Sequence, residues 1–127
     1  MEALRVIEFA QPGPLRDRLV GLVVTGRKRA TAGLLSEWES AQDPLEVGRS
    51  WAVVDSAGQR IAVVQTTELR IGTFDDVDWG WIVDAGEGDQ SVEEWREGYL
   101  GYYERTTGKR PDSTAPVVYE RFRLVEP

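Results

Sequence analysis

Residues 51–71 read Trp-Ala-Val-Val-Asp-Ser-Ala-Gly-Gln-Arg-Ile-Ala-Val-Val-Gln-Thr-Thr-Glu-Leu-Arg-Ile. The pattern is a hairpin: a strand from Trp51 to Asp55, a turn at Ser56-Ala57-Gly58-Gln59, and a return strand from Ile61 to Ile71. Ala62-Val63-Val64 is apolar at three consecutive positions. A strand side chain points alternately to opposite faces, so such a run is covered on both sides and belongs in the middle of a sheet.

The flanking sequence adds elements on either side. Leu4 to Ala10 reads as a short strand, and Pro12-Gly13-Pro14 breaks it and permits a helix start. Leu15, Leu19, Leu22 and Val23 then share one helical face, with Arg16, Asp17 and Arg18 expected in water and Gly26 as the stop. Ala41 to Gly48 reads as loop. Phe74 to Val77 and Asp78 to Trp81 suggest short helical turns, followed by a Gly86-Glu87-Gly88-Asp89 loop. Ser91 and Glu94 fit a capping box that opens a helix with Val92, Trp95, Tyr99 and Tyr102 on one face. Gly98 and Gly101 inside that helix each cost about 1 kcal/mol relative to alanine, which suggests close packing there. Val117 to Val125 alternates as a final strand. Strands without regular βαβ alternation place the chain in the α+β class, as a small curved sheet or barrel with helices over its openings.

Composition narrows the chemistry. The chain has 127 residues, enough for one domain, and contains neither cysteine nor histidine. Disulfides, thiolate nucleophiles, the Ser-His-Asp triad and the usual zinc ligands are therefore excluded. Catalysis must use Lys, carboxylates, hydroxyls, Arg or backbone, and no metal or cofactor is expected. The net charge of −7 disfavours broad, non-specific binding to DNA or RNA. No stretch has the length and apolarity of a signal peptide or a membrane span, so a soluble, cytoplasmic protein with no membrane partner is expected.

Of 15 basic residues only Lys28 and Lys109 are lysines. Lysine, unlike arginine, can lose its proton in a suitable site. Lys28 stands in Gly26-Arg27-Lys28-Arg29-Ala30-Thr31. Two readings stay open for this loop. Its cations grip an anion or a nucleobase oxygen, with Thr31 sharing the pocket, or they complement the negative end of the preceding helix. Glu87 likewise is either a ligand-contacting carboxylate kept open by flanking glycines, or part of a flexible helix-entry loop. Trp38, between Glu37 and Glu39, is a candidate for stacking a base.

Together these segments resemble the ASCH domain. The likeness rests on Gly26-x-Lys28-x-Ala30-Thr31, Trp38-Glu39, Pro44-Leu45-x-Val47-Gly48, Thr66-Thr67-Glu68, Gly86-Glu87-Gly88-Asp89-x-Ser91-x-x-x-Trp95-Arg96 and Glu120-Arg121-Phe122, in order over roughly residues 5–125. The resemblance implies a single domain over residues 1–127 with a PUA-like fold, a small β-barrel flanked by helices around a cleft. It also implies that the Lys28-to-Thr31 loop and the Glu87 loop meet across that cleft.

The family's proposed roles are RNA binding and, in some members, hydrolysis. Small ASCH amidohydrolases remove acyl groups from the exocyclic nitrogen of modified cytidine with a proposed Thr, Lys and Glu. By motif these carry to Thr31 as nucleophile or water-positioning group, Lys28 as base, and Glu87 as the residue holding Lys28 and the substrate amine. Arg27, Arg29, Trp38, Asp89, Arg96 and Tyr99 are the candidate substrate-binding residues, with Arg27 or Arg29 steadying an oxyanion. The chain departs from the longer family members at Tyr99, where they typically carry a histidine. The expected function is metal-independent hydrolysis of an N4-acylated cytidine or related amide. The expected partner is a nucleoside-like small molecule or a short single-stranded RNA, not DNA. The alternatives are a non-catalytic RNA-binding module and a single-stranded-RNA ribonuclease.

Overall fold

The structure, a computed structural model, describes residues 4–126. The 51–71 hairpin forms as β3 (Ser50–Val54) and β4 (Arg60–Gly72). Its turn is tied by Asp55, whose Oδ1 accepts from the N–H groups of Ala57 and Gln59, both at 2.9 Å. β4 lies at the centre of a five-stranded sheet. Its neighbours are β3 on one side and β5 (Val117–Glu126) on the other. Beyond them β1 (Arg5–Ile7) runs parallel to β3, and β2 (Ala30–Leu34) runs antiparallel to β5. Register shifts at Val53/Val54, Val63/Val64 and Thr66/Glu68 put irregularities along β3 and β4. Such bulges bend a strand and raise its twist. The sheet curls into a half-barrel whose end strands, β1 and β2, do not pair with each other.

Helices cover this half-barrel. α1 (Pro14–Val24) buries Leu19, Val20 and Val23 against Trp51, Val53, Val64 and Phe122. A 3-10 turn (Phe74–Asp76), α3 (Trp79–Ala85) and α4 (Val92–Thr107) bury a second apolar group with Val117 and Tyr119. Its centre is aromatic. Trp81 meets Trp95 edge-to-face at 5.2 Å and Tyr119 at 5.1 Å. Such pairs add about 0.5–1.5 kcal/mol beyond their area burial. None of the described helices is long and apolar enough to cross a membrane.

Three local expectations change. Arg16, expected in water, is 3% exposed, because its guanidinium turns inward to the Ala10 and Asp55 carbonyls. The segment after Lys28 forms β2 and then the short helix α2 (Leu35–Ser40), neither of which local pattern signals. Ser91 caps α4 by accepting from the Glu94 N–H at 3.0 Å, one half of the expected box. The reciprocal pair forms at Thr73 and Asp76.

One carboxyl is enclosed in this frame. Glu120 is 1% exposed and accepts from the Thr66 hydroxyl at 2.5 Å, which in turn accepts from the Trp51 indole at 3.0 Å. Its Oε1 has no hydrogen-bond partner among the described residues. Burial pushes Glu120 up from 4.5 to about 7, against the opposing hydrogen bond from Thr66. A raised carboxyl stays protonated in the fold while its unfolded counterpart ionises, so it costs stability as pH climbs from 4.5 to about 7 and by a constant amount above that. The full cost is on the order of 3 kcal/mol. Glu120→Gln is expected to gain stability relative to wild type between pH 5 and pH 8 in urea unfolding. A difference independent of pH would mean that Glu120 is not held neutral in the fold.

Candidate functional site

The site begins where α1 stops. Thr25 caps the helix, and Gly26 takes the left-handed conformation at φ 81°. The N–H groups of both Arg27 and Lys28 then turn back to the Leu22 carbonyl. This fold-back drives the Lys28 side chain inward, where it is 1% exposed. Arg29 leaves in the opposite sense, pinned by its N–H to the Asp84 carbonyl at 2.7 Å and by its own carbonyl to the Phe122 N–H at 3.0 Å.

Lys28 Nζ lies 2.8 Å from the Ala30 carbonyl, 3.2 Å from the Ala85 carbonyl and 2.7 Å from Glu87 Oε2. Three acceptors match the three N–H bonds of an ammonium. Glu87 is brought there by the end of α3. Gly86 caps that helix in the left-handed region at φ 68°, with its Cα packed so tightly that an added Cβ would lie 2.2 Å from the Arg27 carbonyl oxygen. The two loops are thus in direct backbone contact. Arg18 adds a further hold on the Glu87 carbonyl at 2.6 Å.

Lys28 and Glu87 sit 59 residues apart in sequence, and their pairing puts the two chemistry-bearing loops at one end of a cleft of about 530 Å³. A family model for the ASCH domain matches residues 5–126. The chain belongs to the ASCH domain family. Comparison with curated proteins finds no match. Solved structures agree in fold. A protein from Enterococcus faecalis V583 superposes with a TM-score of 0.85 at 22% identity, over 99% of this chain and 78% of that one. An ASCH domain from Lactobacillus crispatus JV V101 gives 0.81 at 23% identity, over 97% of this chain and 80% of its own. These likenesses establish the α+β, PUA-like half-barrel with flanking helices.

The cleft of this ASCH domain runs along α4. Thr31, Glu87, Asp89, Trp95 and Tyr99 line one end, while Tyr102, Arg105, Thr106 and Thr107 line the other. Residues 8–12 face α4 across the gap, held in place by the Gln11 N–H on the Tyr102 hydroxyl at 3.0 Å. Gly98 also lines the cleft, and a Cβ there would touch nothing. Expected to mark close packing, it instead leaves the wall open. Tyr99, the residue at which the resemblance departs from the family pattern, lines the cleft. Its hydroxyl sits against the Thr31 hydroxyl and the Ala32 N–H, and burial followed by the Glu87 charge holds its pKa well above the usual value. At neutral pH it is a phenol, a proton donor. Asp89 is also raised, by burial first and then by Glu87 and Glu94.

The remaining candidates lie elsewhere. Arg27 and Arg29 line a separate shallow groove of about 300 Å³ with Trp79, Val83 and Gly88. Arg29 there pairs with Asp84 at 2.9 Å. Trp38 packs edge-to-face on Trp51 at 5.8 Å and does not line the cleft. Arg96 donates to the Phe74 carbonyl and pairs with Asp75 at 3.3 Å, also outside the cleft. Among the polar lining residues that the sequence reading missed are Glu8, Arg16, Glu37 and Tyr103. Glu37 carried the one available signal, a carboxylate shortly after the Lys28 motif. The described residues contain no group of three or more carboxylates placed to hold a metal ion.

The contact between the two loops is testable. Gly86→Ala must place a Cβ against backbone from a left-handed conformation, and is expected to cost about 2–4 kcal/mol in urea unfolding. Gly88→Ala, at φ 89° with nothing within 4 Å, carries the backbone cost alone, about 1 kcal/mol. Equal losses for the two variants would show that the loops are not in contact.

Proposed function

We propose that this ASCH domain hydrolyses an amide on a nucleoside-sized substrate, of which N4-acylated cytidine is the simplest candidate. The observation that carries the reading is the buried Lys28 ammonium holding Glu87 at 2.7 Å in the wall of the cleft that Thr31 also lines. All three close partners of Lys28 Nζ are acceptors, and no hydrogen bond joins it to Thr31. Its role in this reading therefore shifts from base to holder of the base. Glu87 is the cleft-lining carboxylate that Lys28 holds.

In the proposed reaction Glu87 takes the Thr31 hydroxyl proton as Oγ1 bonds to the acyl carbon. The carbonyl π electrons move to oxygen, and the Tyr99 phenol donates a hydrogen bond to that oxyanion. The oxyanion collapses, the C–N bond breaks, and Glu87 returns the proton to the leaving exocyclic nitrogen. Water then adds to the Thr31 ester with Glu87 as base again. The carboxylic acid leaves as its bond to Thr31 Oγ1 breaks, and the proton returns to that oxygen. Lys28 keeps Glu87 oriented throughout.

A second reading draws on a different surface. Trp79 is 48% exposed beside Arg27 and Arg29 in the shallow groove, an arrangement that suits stacking a base and contacting a phosphate of single-stranded RNA. Binding there would weaken steeply with salt.

Purified protein incubated with N4-acylated cytidines and, separately, with a short single-stranded RNA decides between them by chromatography. Hydrolysis of a nucleoside is expected, reduced at least 100-fold in Thr31→Ala and in Glu87→Gln. Intact nucleosides with salt-sensitive RNA retention, abolished by Trp79→Ala, would overturn the hydrolase reading in favour of the binding module.

A further inference from the structure

The cleft has a second carboxylate position whose chemistry the proposed hydrolysis does not use. Glu37, on α2, faces the cleft, and its Oε1 accepts from the Tyr103 hydroxyl at 2.6 Å. Tyr103 is itself fixed, because its oxygen accepts from the Leu34 N–H at 3.2 Å. Burial, then the hydrogen bond and charge of Glu37, keep its phenol protonated at any ordinary pH. Glu37 Oε2 makes no hydrogen bond to any described residue. A carboxylate clamped by one oxygen presents the other, acceptor-only, to a ligand.

The spacing is set by α4. Tyr99 stands beside Thr31, and Tyr103, four residues on, stands beside Glu37. Four residues of helix advance about 6 Å. The acyl-transfer end and the Glu37 position are therefore separated by a length comparable to that between the exocyclic edge of a pyrimidine and its sugar.

The charge of the cleft points the same way. Four carboxylates line it, Glu8, Glu37, Glu87 and Asp89, against two guanidinium groups, Arg16 and Arg105. Arg16 is buried with its N–H bonds on the Ala10 and Asp55 carbonyls and on Glu8. Arg105 stands in the last turn of α4, where a cation complements the helix's negative end. A ligand with several hydroxyl or amine donors suits this lining, and a phosphate placed among the carboxylates meets like charge in a partly desolvated space.

We infer that Glu37, positioned by Tyr103, reads the ribose hydroxyls of the substrate, so that the cleft takes an uncharged ribonucleoside and rejects its 5′-phosphorylated form. The inference rests on the nucleoside reading given above and adds a specificity-determining residue to it. The two stand apart experimentally, because this one is read by binding and that one by turnover.

The probe is N4-methylcytidine, which keeps a substituted exocyclic nitrogen and has no amide to hydrolyse. Calorimetric titration of the wild-type protein compares it with its 5′-monophosphate and its 2′-deoxy counterpart. The phosphate is expected to weaken binding at least tenfold, and less so at high salt. Loss of the 2′-hydroxyl is expected to weaken it severalfold. Glu37→Gln keeps the fold, since the side chain is exposed, and is expected to shrink both ratios. Tyr103→Phe is expected to shrink the ribose preference alone, because it frees Glu37 without removing its charge. Equal affinity for the nucleoside and its monophosphate, or ratios unchanged in Glu37→Gln, would overturn the inference while leaving turnover untouched. Absence of binding by every probe would overturn it together with the nucleoside reading. Absence of turnover with the ratios intact would remove only the hydrolase assignment.

Discussion

A single buried ammonium organises this protein's cleft. Taking a charged group out of water is costly, and the cost is met only when its hydrogen-bonding capacity is filled by well-placed acceptors. Lys28 meets that condition with one acceptor on β2, one at the end of α3 and one on the loop that follows. No local segment supplies all three. The ammonium can be buried only when the Gly26 turn, the strand it leads into and the Gly86 cap are all in place. Loss of Glu87 would leave an under-compensated charge in the interior, the situation in which breaking a buried pair costs about 3–5 kcal/mol. The site and the fold around it therefore depend on each other.

The sheet makes this arrangement possible by being curled and incomplete. The irregularities along β3 and β4 bend the five strands far enough for α1 to cover one apolar group and α3 and α4 another. The aromatic stack of Trp81, Trp95 and Tyr119 fixes α4 against β5, which in turn fixes where Tyr99 and Tyr103 meet β2 and α2. Packed rings stand behind the cleft and carboxylates line it. The rings hold the distances between the elements that carry those carboxylates.

Tyr99 stands where the family resemblance leads one to expect a histidine, and the two residues offer different chemistry. An imidazole changes charge near neutral pH. Tyr99 does not, because burial and the neighbouring Glu87 charge oppose its ionisation. It remains a neutral donor beside Thr31. The cleft is in this respect a site built without histidine or cysteine.

Local chemistry made much of this legible. The hairpin, its turn and the central position of Ala62 to Val64 follow from alternation and turn residues alone. So do the start of α1 at a proline, the Ser91 cap and the exclusion of histidine and cysteine chemistry. That the Lys28 loop and the Glu87 loop meet was legible by family resemblance. Tertiary structure decided the rest. Arg27 and Arg29 flank Lys28 in sequence yet lie in another groove, because the loop folds back on Leu22 and turns neighbouring side chains in opposite senses. Arg16 looks like solvated surface until the 8–12 segment brings carbonyls to it. Glu37 faces the cleft only because β2 passes into α2 next to a tyrosine 66 residues away. Periodicity reports which face of an element is apolar. It carries no information about which distant backbone will offer a polar side chain its partner, and the burial of Lys28, Arg16 and Glu120 depends on that.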